Sequence, residues 1–583
     1  MPNFTPSIYQ QQIFDFVQHG VGNAVVRARA GSGKTKVLVS SMELVPSSQK
    51  CLFIAFNKSI VDELSKRLEG RDNCTVRTVH SLGFSIVSKN LEKEPVLEEY
   101  KYRNYLKNNI CSLSNLDCDN LTREDLESYA DNVTTLVNFA RYNLCQTPKE
   151  VERIAKKYDI PYISDECEVT IKLLKWGKSN TDIIDYMDMV WLPYELSMKP
   201  IGNQYDWIFM DEAQDFSKAY VDLFLRCFKR GTRFMAVLDE NQSINQFSGA
   251  SSDATLYLSS YPHTQQFSLP ICYRCDTTIL DLARDYVPDI LARDGAGPGE
   301  ILYDCSTSEI HDGDMVLCRS RAPLLKLYNK FIKQGRNCYV KGSDGGEKLI
   351  DLVNSVDADK LSPELLSDGL FIRLYDKMLK ERNKMMTKHG LDIWDASLSA
   401  QVLAMYDNIS TLITLSDGCK TKEDLLNKIS NIFLDDSKGI CLSTIHKAKG
   451  LEADNVFIIC RSTMPPKRAK RDWEMEEERN LIYVAYTRPK HKLGFVSEKE
   501  VPPAGLLLDD ETIINDITYI EQRVCTVLGK EPVENNSHSD FARFRLGAAT
   551  EIEEPDENEV VLNRKSSKAK KKSIDELLAE LGE

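Results

Sequence analysis

The segment from Ala28 to Thr35, with the sequence ARAGSGKT, contains the residue types that hold a phosphate chain. It follows the apolar run Ala24-Val25-Val26 and opens a helix-like stretch. Glycines let backbone N–H groups approach phosphate oxygens, and a helix N-terminus adds positive potential. In such a loop Lys34 reaches the β- and γ-phosphates, and Thr35 binds Mg²⁺. The predicted nucleotide-binding residues here are Ala30, Gly31, Ser32, Gly33, Lys34 and Thr35.

A pair of carboxylates follows a second apolar run. Asp211 and Glu212 come directly after Trp207-Ile208-Phe209-Met210. Doubly wound sheets bind ligands at the carboxyl ends of their strands, so this pair is expected beside the phosphate loop. Asp211 would hold Mg²⁺, and Glu212 would polarise a water molecule as general base. The two segments together predict a P-loop nucleoside triphosphatase.

The elements that must position these side chains alternate between strand-like and helix-like runs. This pattern predicts an α/β fold with parallel sheets and helices on their faces. Two polar stretches are helical in pattern and are predicted to be insertions. The predicted domains are a first α/β domain (1–94 plus 181–265), a helical insertion (95–180), a second α/β domain (266–344 plus 437–500), a second helical insertion (345–436) and a C-terminal tail (501–583).

Further motifs occur in a fixed order along the chain. They are Thr5-Pro6 with Gln10, AFNK (55–58), TVHSLG (78–83), DYMDM (185–189), DENQSINQFSGA (239–250), LPICYRC (269–275), TIHKAKGLE (444–452) and YVAYTR (483–488). In this order, over about residues 5 to 500, the chain resembles superfamily 1 ATP-dependent DNA helicases of the UvrD/PcrA/Rep type. It is most similar to the F-box-helicase-like and phage branch, although no F-box-like segment is apparent.

The resemblance implies two RecA-like P-loop domains with two helical insertions, and ATP with Mg²⁺ bound between the two domains. It implies roles in ATP hydrolysis for Lys34, Asp211, Glu212, Gln242, Arg274 and Arg488, with Gln242 as γ-phosphate sensor and Arg488 as arginine finger. It further implies that Gln10 reads adenine, that Tyr273 stacks on it, and that Glu452 meets the ribose.

Single-stranded nucleic acid is held by aromatic stacking and by contacts to its backbone. The resemblance places such contacts at Phe56, Asn57, Lys58, His80, Phe247 and His446. The expected partners are single-stranded DNA and duplex junctions, with 3′→5′ movement in replication, repair or recombination. Two alternatives stay open: a translocase that strips proteins but unwinds little, and an ATP-switched scaffold that binds DNA without moving.

The net charge, the hydropathy and the cysteines of the sequence limit the functions and locations that can be expected. The net charge of −14 argues against a protein that coats nucleic acid by charge alone, but not against a motor with a locally basic channel. No apolar run is long enough to span a membrane and no secretory signal is recognisable, so the sixteen cysteines are expected to be reduced. The pair Cys272 and Cys275 has no partner pair at metal-site spacing and belongs to the motif at 269–275. The expected location is cytoplasmic (nucleoid-associated) or nuclear, including a viral protein acting in the host cytoplasm.

The tail is expected to contain a solvated linker, acidic over 551–559 and basic over 564–572. A capping box at 573–576 then starts a short helix. Its apolar stripe consists of Ile574, Leu577, Leu578 and Leu581. This helix could dock on a replication or repair partner or pack on its own protein, and the sequence leaves both interpretations open.

Overall fold

The structure is a computed structural model, and it describes residues 5–530 of the chain with short gaps. The gaps are residues 56–60, 62–63, 67, 69, 119–120, 122, 159, 161, 245–251, 343, 357–365, 390, 417, 433–437, 467–468 and 470. The tail segments at 551–559, 564–572 and 573–581, for which a linker and a helix were predicted, lie outside the described residues.

Two six-stranded sheets dominate the structure, and every strand pair in them is parallel. The strands are β1 (Asn23–Ala28), β2 (Cys51–Ala55), β3 (Cys74–Thr78), β4 (Val96–Leu97), β5 (Ile183–Ile184), β6 (Tyr205–Met210), β7 (Phe228–Leu238), β8 (Thr264–Leu269), β9 (Ile271–Cys272), β10 (Leu291–Ala292), β11 (Glu300–Cys305), β12 (Met315–Cys318), β13 (Cys338–Val340), β14 (Ile440–Thr444), β15 (Ala453–Ile458) and β16 (Pro489–Val496). The predicted α/β fold with two parallel sheets is confirmed.

Helices cover both sheets and fill the two insertions. The helices are α1 (Ile8–His19), α2 (Lys34–Leu44), α3 (Val79–Asn90), α4 (Lys101–Leu113), α5 (Arg123–Tyr142), α6 (Pro148–Lys157), α7 (Ser164–Ser179), α8 (Asp188–Glu195), α9 (Lys218–Arg226), α10 (Ser252–Ser260), α11 (Thr277–Arg284), α12 (Arg321–Lys333), α13 (Asp344–Asn354), α14 (Leu366–His389), α15 (Ile393–Ser397), α16 (Ala400–Leu415), α17 (Lys422–Ile432), α18 (Asp472–Tyr486) and α19 (Asp510–Leu528). Single 3₁₀ turns lie at Ala213–Asp215, Glu240–Gln242, Thr307–Glu309, Arg461–Thr463 and Gly505–Leu507. Among the residues described, no helix is long and apolar enough to span a bilayer.

The first sheet has the strand order β3-β2-β6-β7-β1-β8. Its inner strands β1, β2 and β6 are almost continuously apolar and buried, as expected for parallel strands covered on both faces. The carboxyl ends of β1, β6 and β7 therefore lie side by side at one edge of the sheet. The edge strand β8 pairs with β1 through Leu269, so the domain boundary predicted between 265 and 266 falls inside this strand. The mostly polar sequence of this strand, TQQFSL, did not indicate that pairing.

The second sheet has the order β11-β16-β15-β12-β14-β13. Helices α13 to α17 occupy the chain between β13 and β14, the interval of the second predicted insertion. Helix α19 packs on this helical region through Ile513, Ile517 and Val524, and Glu521 forms a buried ion pair with Arg382 at 2.6 Å. The sequence analysis assigned no element to this part of the tail predicted from 501, and the structure shows a helix there whose spaced apolar residues form a buried stripe.

The cysteines depart from expectation at one place. Cys111 near the end of α4 and Cys118 in the following turn are joined by a disulfide, whereas the other fourteen cysteines form no disulfide in the structure described. The expectation of reduced thiols throughout is wrong for this pair, because the turn after α4 brings the two residues together.

A buried cluster of charges fixes the first helical insertion to the segment before β6. Arg141 of α5 is 1% exposed and donates to Asp185 at 2.7 and 2.8 Å and to Asp188 at 2.9 Å. Lys101 of α4 pairs with Asp188 at 2.7 Å, and the Tyr102 hydroxyl donates to the same carboxylate at 2.7 Å. Two cations thus balance two carboxylates that water does not reach.

The Arg141→Ala substitution should lower the free energy of unfolding by about 3–5 kcal/mol, because it leaves a buried carboxylate without its partner. The measurement is thermal and urea unfolding followed by circular dichroism. Arg103→Ala is the matched control, since Arg103 pairs with Asp131 at an exposed site and its loss should cost about 0–1 kcal/mol. Equal effects of the two substitutions would contradict the structural role given to Arg141.

Candidate nucleotide site and nucleic-acid interface

The loop between β1 and α2 contains the residues predicted to bind phosphate. Gly31 and Gly33 have φ angles of 67° and 77°, in the left-handed region that favours glycine. Gly33 is the N-cap of α2, and no side chain caps the helix there. The first N–H groups of α2 therefore lack helical partners and are free to bind an anion. The local sequence is sufficient to build this part of the site.

Lys34 and Thr35 both reach the end of β6. The Lys34 ammonium lies 3.0 Å from a carboxylate oxygen of Glu212, and the Thr35 hydroxyl donates to Asp211 at 2.9 Å. Glu212 has a φ of 53°, an unusual value for a residue other than glycine, and its N–H donates to the Asp211 carboxylate. The fold thus brings the two predicted segments into direct contact across 176 positions of the chain.

The two carboxylates of this pair have opposite electrostatic surroundings. Burial, together with the adjacent charge of Glu212, raises the pKa of Asp211 to about 6. Burial alone would also raise the pKa of Glu212, but the positive charges of Lys34 and Lys449 outweigh it and lower that pKa to about 2. Glu212 is therefore an ionised carboxylate, as a general base must be, and Asp211 is a buried carboxyl group short of positive charge.

Lys449 carries positive charge from the second sheet to the acidic edge of the first. It lies in the loop between β14 and β15 and pairs with buried Asp215 at 2.6 Å. It also donates to the main-chain carbonyl of Gln242 at 2.8 Å. The buried side-chain amide of Gln242 donates to Asp239, the residue that follows β7, at 2.6 Å. The predicted γ-phosphate sensor is therefore held from both sheets.

Helix α18 makes two more contacts across the cleft. The N–H of Ala30 in the phosphate loop donates to the Tyr483 hydroxyl at 2.9 Å. The Asn480 amide donates to the carbonyl of Ser243 at 3.0 Å. Burial raises the pKa of Tyr483 well above its usual value, so its hydroxyl stays neutral. The second sheet consequently touches the phosphate loop and the segment after β7.

Arg274 lies at the start of the second α/β region, and its side chain contacts two other residues of that region. Its guanidinium pairs with Glu452 at 2.8 Å and donates to the carbonyl of Thr487 at 2.9 Å. Burial would raise the pKa of Glu452, but Arg274 and Lys490 lower it. The residues predicted to meet the γ-phosphate and the ribose thus contact each other.

Arg488 is 1% exposed and is satisfied by neutral oxygens. It donates to the carbonyls of Val484 at 2.9 Å and Leu451 at 3.1 Å. Within the part of the chain that the structure describes, no carboxylate pairs with it. Burial, and then the like charge of Arg274, lower the pKa of Arg488 to about 10. A buried guanidinium without a counter-ion is suited to an anionic ligand.

The remaining predicted nucleotide residues lie in the same region or beside it. Tyr273 is 42% exposed, and its N–H donates to the carbonyl of Gly31 at 2.9 Å. Ser32 is buried in the phosphate loop. Gln10 is buried at the start of α1, where its side-chain oxygen accepts from the N–H of Ser7 at 3.0 Å in a capping box. Its role in reading adenine stays a prediction.

The nucleic-acid residues are described only in part. Phe56, Asn57, Lys58 and Phe247 lie outside the described residues, so their predicted stacking and backbone contacts stay predictions. His80 is half-buried at the start of α3, and burial lowers its pKa.

Aromatic and charged neighbours surround the two predicted histidines. The rings of Tyr186 and Tyr220 meet the His80 ring edge-on at 6.2 and 6.0 Å, and Tyr186 is 50% exposed. Burial, and then the charge of Arg319, lower the pKa of His446 to about 3. Both histidines are therefore neutral near pH 7, so any contact that they make to a DNA backbone is a hydrogen bond and not an ion pair.

Two candidate residues were not singled out from the sequence. Lys449 lies inside the TIHKAKGLE motif, but nothing in the sequence indicates that it reaches Asp215, 234 positions away. Tyr186 lies in the DYMDM segment, and its exposure beside His80 depends on the packing of α8. An aromatic residue between two buried aspartates was the available signal for Tyr186.

Comparison with known proteins gives two family matches. The UvrD/REP helicase N-terminal domain matches residues 9–262, and the UvrD-like helicase C-terminal domain matches residues 371–500. F-box DNA helicase protein 1 of Schizosaccharomyces pombe is 24% identical over 80% of this chain and 55% of its own length. ATP-dependent DNA helicase PcrA of Staphylococcus epidermidis is 21% identical over 81% of each chain. F-box DNA helicase 1 of Gallus gallus is 26% identical over 80% of this chain and 46% of its own. This chain thus spans about half the length of the F-box relatives that it matches.

The Lys449→Ala substitution should lower the rate of ATP hydrolysis at least about tenfold, because it removes a positive charge from beside Glu212 and Gln242. The measurement is steady-state phosphate release in the presence of single-stranded DNA. Lys499→Ala is the control, since Lys499 is exposed in the same half of the chain. A Lys449→Ala rate within twofold of the unsubstituted protein would contradict this role.

Proposed function

This chain belongs to the UvrD/REP helicase family, and on that premise we propose that it is an ATP-dependent DNA helicase that translocates along single-stranded DNA. The observation that carries the proposal is the meeting of both sheets at the phosphate loop. Lys34 and Glu212 belong to the domain of the first sheet. From the domain of the second sheet, the charge of Lys449 acts on Glu212 and the Tyr483 hydroxyl accepts from the N–H of Ala30 in the phosphate loop. A nucleotide bound there would join the two sheets, which is the arrangement that a motor needs.

The first sheet would supply the chemistry of hydrolysis. Lys34 would bind the β- and γ-phosphates, and ionised Glu212 would take a proton from the attacking water. Thr35 and Asp211 offer a hydroxyl and a carboxylate oxygen 2.9 Å apart, the hard oxygen donors that Mg²⁺ prefers. Asp211 also lies in a site short of positive charge, which fits a divalent cation. Bound Mg²⁺ would neutralise phosphate charge at this position.

The second sheet would supply charge to the transferring phosphoryl group. Arg488 is buried without a carboxylate partner among the described residues, which supports its role as arginine finger. Such a residue contributes about 10³–10⁵ in rate in related phosphoryl-transfer enzymes. For Arg274 to reach a γ-phosphate it must leave Glu452, which would then be free for the ribose.

Movement would follow from the closing and opening of the cleft. ATP adds contacts between the sheets, and hydrolysis removes those of the γ-phosphate, so the cleft closes and opens once in each cycle. Alternating grip on a single strand converts this cycle into translocation. The 3′→5′ direction is proposed from the sequence QSINQF at 242–247, and the retained Lys34, Glu212 and Arg488 argue against a scaffold that does not hydrolyse ATP.

Several finer assignments belong to the same proposal. They are action on duplex junctions in replication, repair or recombination, and a location in the cytoplasm or nucleus. A further one is a replication or repair partner bound by the helix predicted from 573. Loss of partner binding on deletion of residues 573–583 would support that last assignment, and unchanged binding would oppose it.

The unsubstituted protein should hydrolyse ATP slowly alone and at least tenfold faster with single-stranded DNA. Lys34→Ala should abolish the stimulated rate, because it removes the ammonium that is proposed to bind the β- and γ-phosphates. The measurement is steady-state ATPase with and without oligo-dT, with Lys50→Ala as an exposed control on the same domain.

The outcomes of this experiment distinguish the proposed helicase from the alternative functions. ATP hydrolysis that ignores DNA would leave a nucleotide site but reject the helicase proposal. ATP binding without hydrolysis would favour the switched scaffold. Stimulated hydrolysis leads to unwinding assays on duplexes with either a 3′ or a 5′ tail, and preference for the 5′ tail would overturn the proposed direction.

Tyr186→Ala should weaken binding of single-stranded DNA by about 1–3 kcal/mol, or roughly 5- to 150-fold, because an exposed ring beside His80 offers a stacking face. The measurement is fluorescence anisotropy of labelled oligo-dT. Tyr186→Phe should retain most of the affinity, and Tyr519→Ala, which removes a ring 66% exposed on α19, is the matched control. Equal affinities for Tyr186→Ala and Tyr519→Ala would reject this contact.

A further inference from the structure

Two cysteines flank Tyr273 and Arg274, two residues of the second α/β region that lie beside the nucleotide site. Cys272 ends β9 and Cys275 lies two residues before the start of α11 at Thr277, with Tyr273 and Arg274 between the two cysteines. Both thiols are 0% exposed and free. Their presence in this motif has so far had no role in the proposed mechanism.

The backbone folds the two sulfur atoms towards each other. The N–H of Cys275 donates to the Cys272 sulfur at 3.5 Å, which curls the four-residue turn around that atom. The Cys275 sulfur lies 3.7 Å from the carbonyl of Thr487, and Arg274 donates to the same carbonyl at 2.9 Å. The second thiol and the arginine are thus anchored at one point.

The first sulfur lies directly under the phosphate loop. A Cβ atom placed on Gly31 would come within 2.7 Å of the Cys272 sulfur and 2.8 Å of the Arg274 Cβ. The N–H of Tyr273 donates to the Gly31 carbonyl. Any movement of the turn from 272 to 275 is therefore transmitted to the loop that would hold the phosphates.

The two thiols differ in acidity. The hydrogen bond from the Cys275 thiol, with backbone N–H groups and the charge of Arg274, outweighs burial and lowers the pKa of Cys272 to about 6. The pKa of Cys275 is raised, first by its hydrogen bond to Cys272 and then by burial. The C-x-x-C spacing and the lowered pKa of one thiol beside a second thiol are shared with redox-active cysteine pairs, although the reactive thiol of those pairs is partly exposed.

We propose that Cys272 and Cys275 form a dithiol–disulfide switch that turns off the nucleotide site when a peroxide oxidises it. This inference rests on the proposed ATPase function, which it extends by a means of control. Formation of the disulfide draws the sulfur atoms to about 2.05 Å. The turn that carries Tyr273 and Arg274 must tighten, and this pulls Arg274 from its contacts and disturbs the packing under Gly31.

The chemistry balances with hydrogen peroxide as the two-electron oxidant. The Cys272 thiolate attacks one peroxide oxygen, the O–O bond breaks, and the departing hydroxide takes a proton to form water. The Cys275 sulfur loses its proton and attacks the resulting sulfenic acid, and a second water leaves as the S–S bond forms. A dithiol reductant reverses the step by thiol–disulfide exchange.

A protease cut makes this disulfide directly observable. Trypsin cleaves after Arg274, between the two cysteines, and yields the peptides 234–274 and 275–284 with one cysteine each. In oxidised protein digested without reductant, these two peptides should appear joined in the mass spectrum. After dithiothreitol they should appear separately.

The decisive experiment combines this readout with ATPase rates on the full chain, before and after hydrogen peroxide and after dithiothreitol. We expect the DNA-stimulated rate to fall at least tenfold as the joined peptide appears, and to recover on reduction. In Cys275→Ser the ratio of oxidised to reduced rate should stay within twofold of unity. Cys74→Ser is the matched control, because Cys74 pairs in register with Cys51 on the neighbouring strand and its loss should leave the sensitivity unchanged.

Three outcomes would overturn the switch. These are inactivation without the joined peptide, the joined peptide without loss of rate, and inactivation of Cys275→Ser equal to that of the unsubstituted protein. A reduced protein without ATPase activity would instead reject the proposed function, and the joined peptide would still report whether the disulfide forms.

Discussion

The acidic edge of the first sheet contains more buried carboxylates than that sheet can neutralise. Asp211, Asp215 and Asp239 are 2%, 6% and 0% exposed, and burying an ionised carboxylate without a partner is costly. The sheet provides Lys34 from its own phosphate loop, and the guanidinium of Arg29 lies 3.7 Å from Asp239. The balance comes from Lys449 of the second sheet. Charge neutralisation at this edge therefore requires the two sheets to stand close together.

The same requirement would make the proposed nucleotide site sensitive to bound charge. Lys449 and Arg488 of the second α/β region lie where their positive charges could interact with either carboxylates or phosphates. A triphosphate brings negative charge, and a metal ion brings positive charge, to an edge whose carboxylates are already strongly perturbed. On the proposed mechanism, small changes in bound charge would therefore alter the preferred distance between the sheets. ATP hydrolysis would then be coupled to movement through the balance between the negative charges at this edge and the positive charges of the second sheet.

Sequence reasoning was sufficient where the geometry depends on a few adjacent residues. The phosphate loop, the pair Asp211-Glu212 and the parallel sheets follow from local residue types and from apolar runs. It failed where the outcome depends on distant partners. The reach of Lys449 to Asp215 and the pairing of polar β8 with β1 are set by packing and not by local pattern. The buried helix α19 was missed because its apolar residues are spaced among many polar ones.

The crossing between the two sheets has a mechanical consequence. β8 ends in the first sheet at Leu269, and after Pro270 the chain has already reached β9 and Arg274 of the second region. A rotation of the second region about this crossing would displace Arg274, four residues after Pro270, less than it displaces residues that lie farther from the crossing. In the proposed motor, a small displacement at the nucleotide would then accompany a larger displacement farther away.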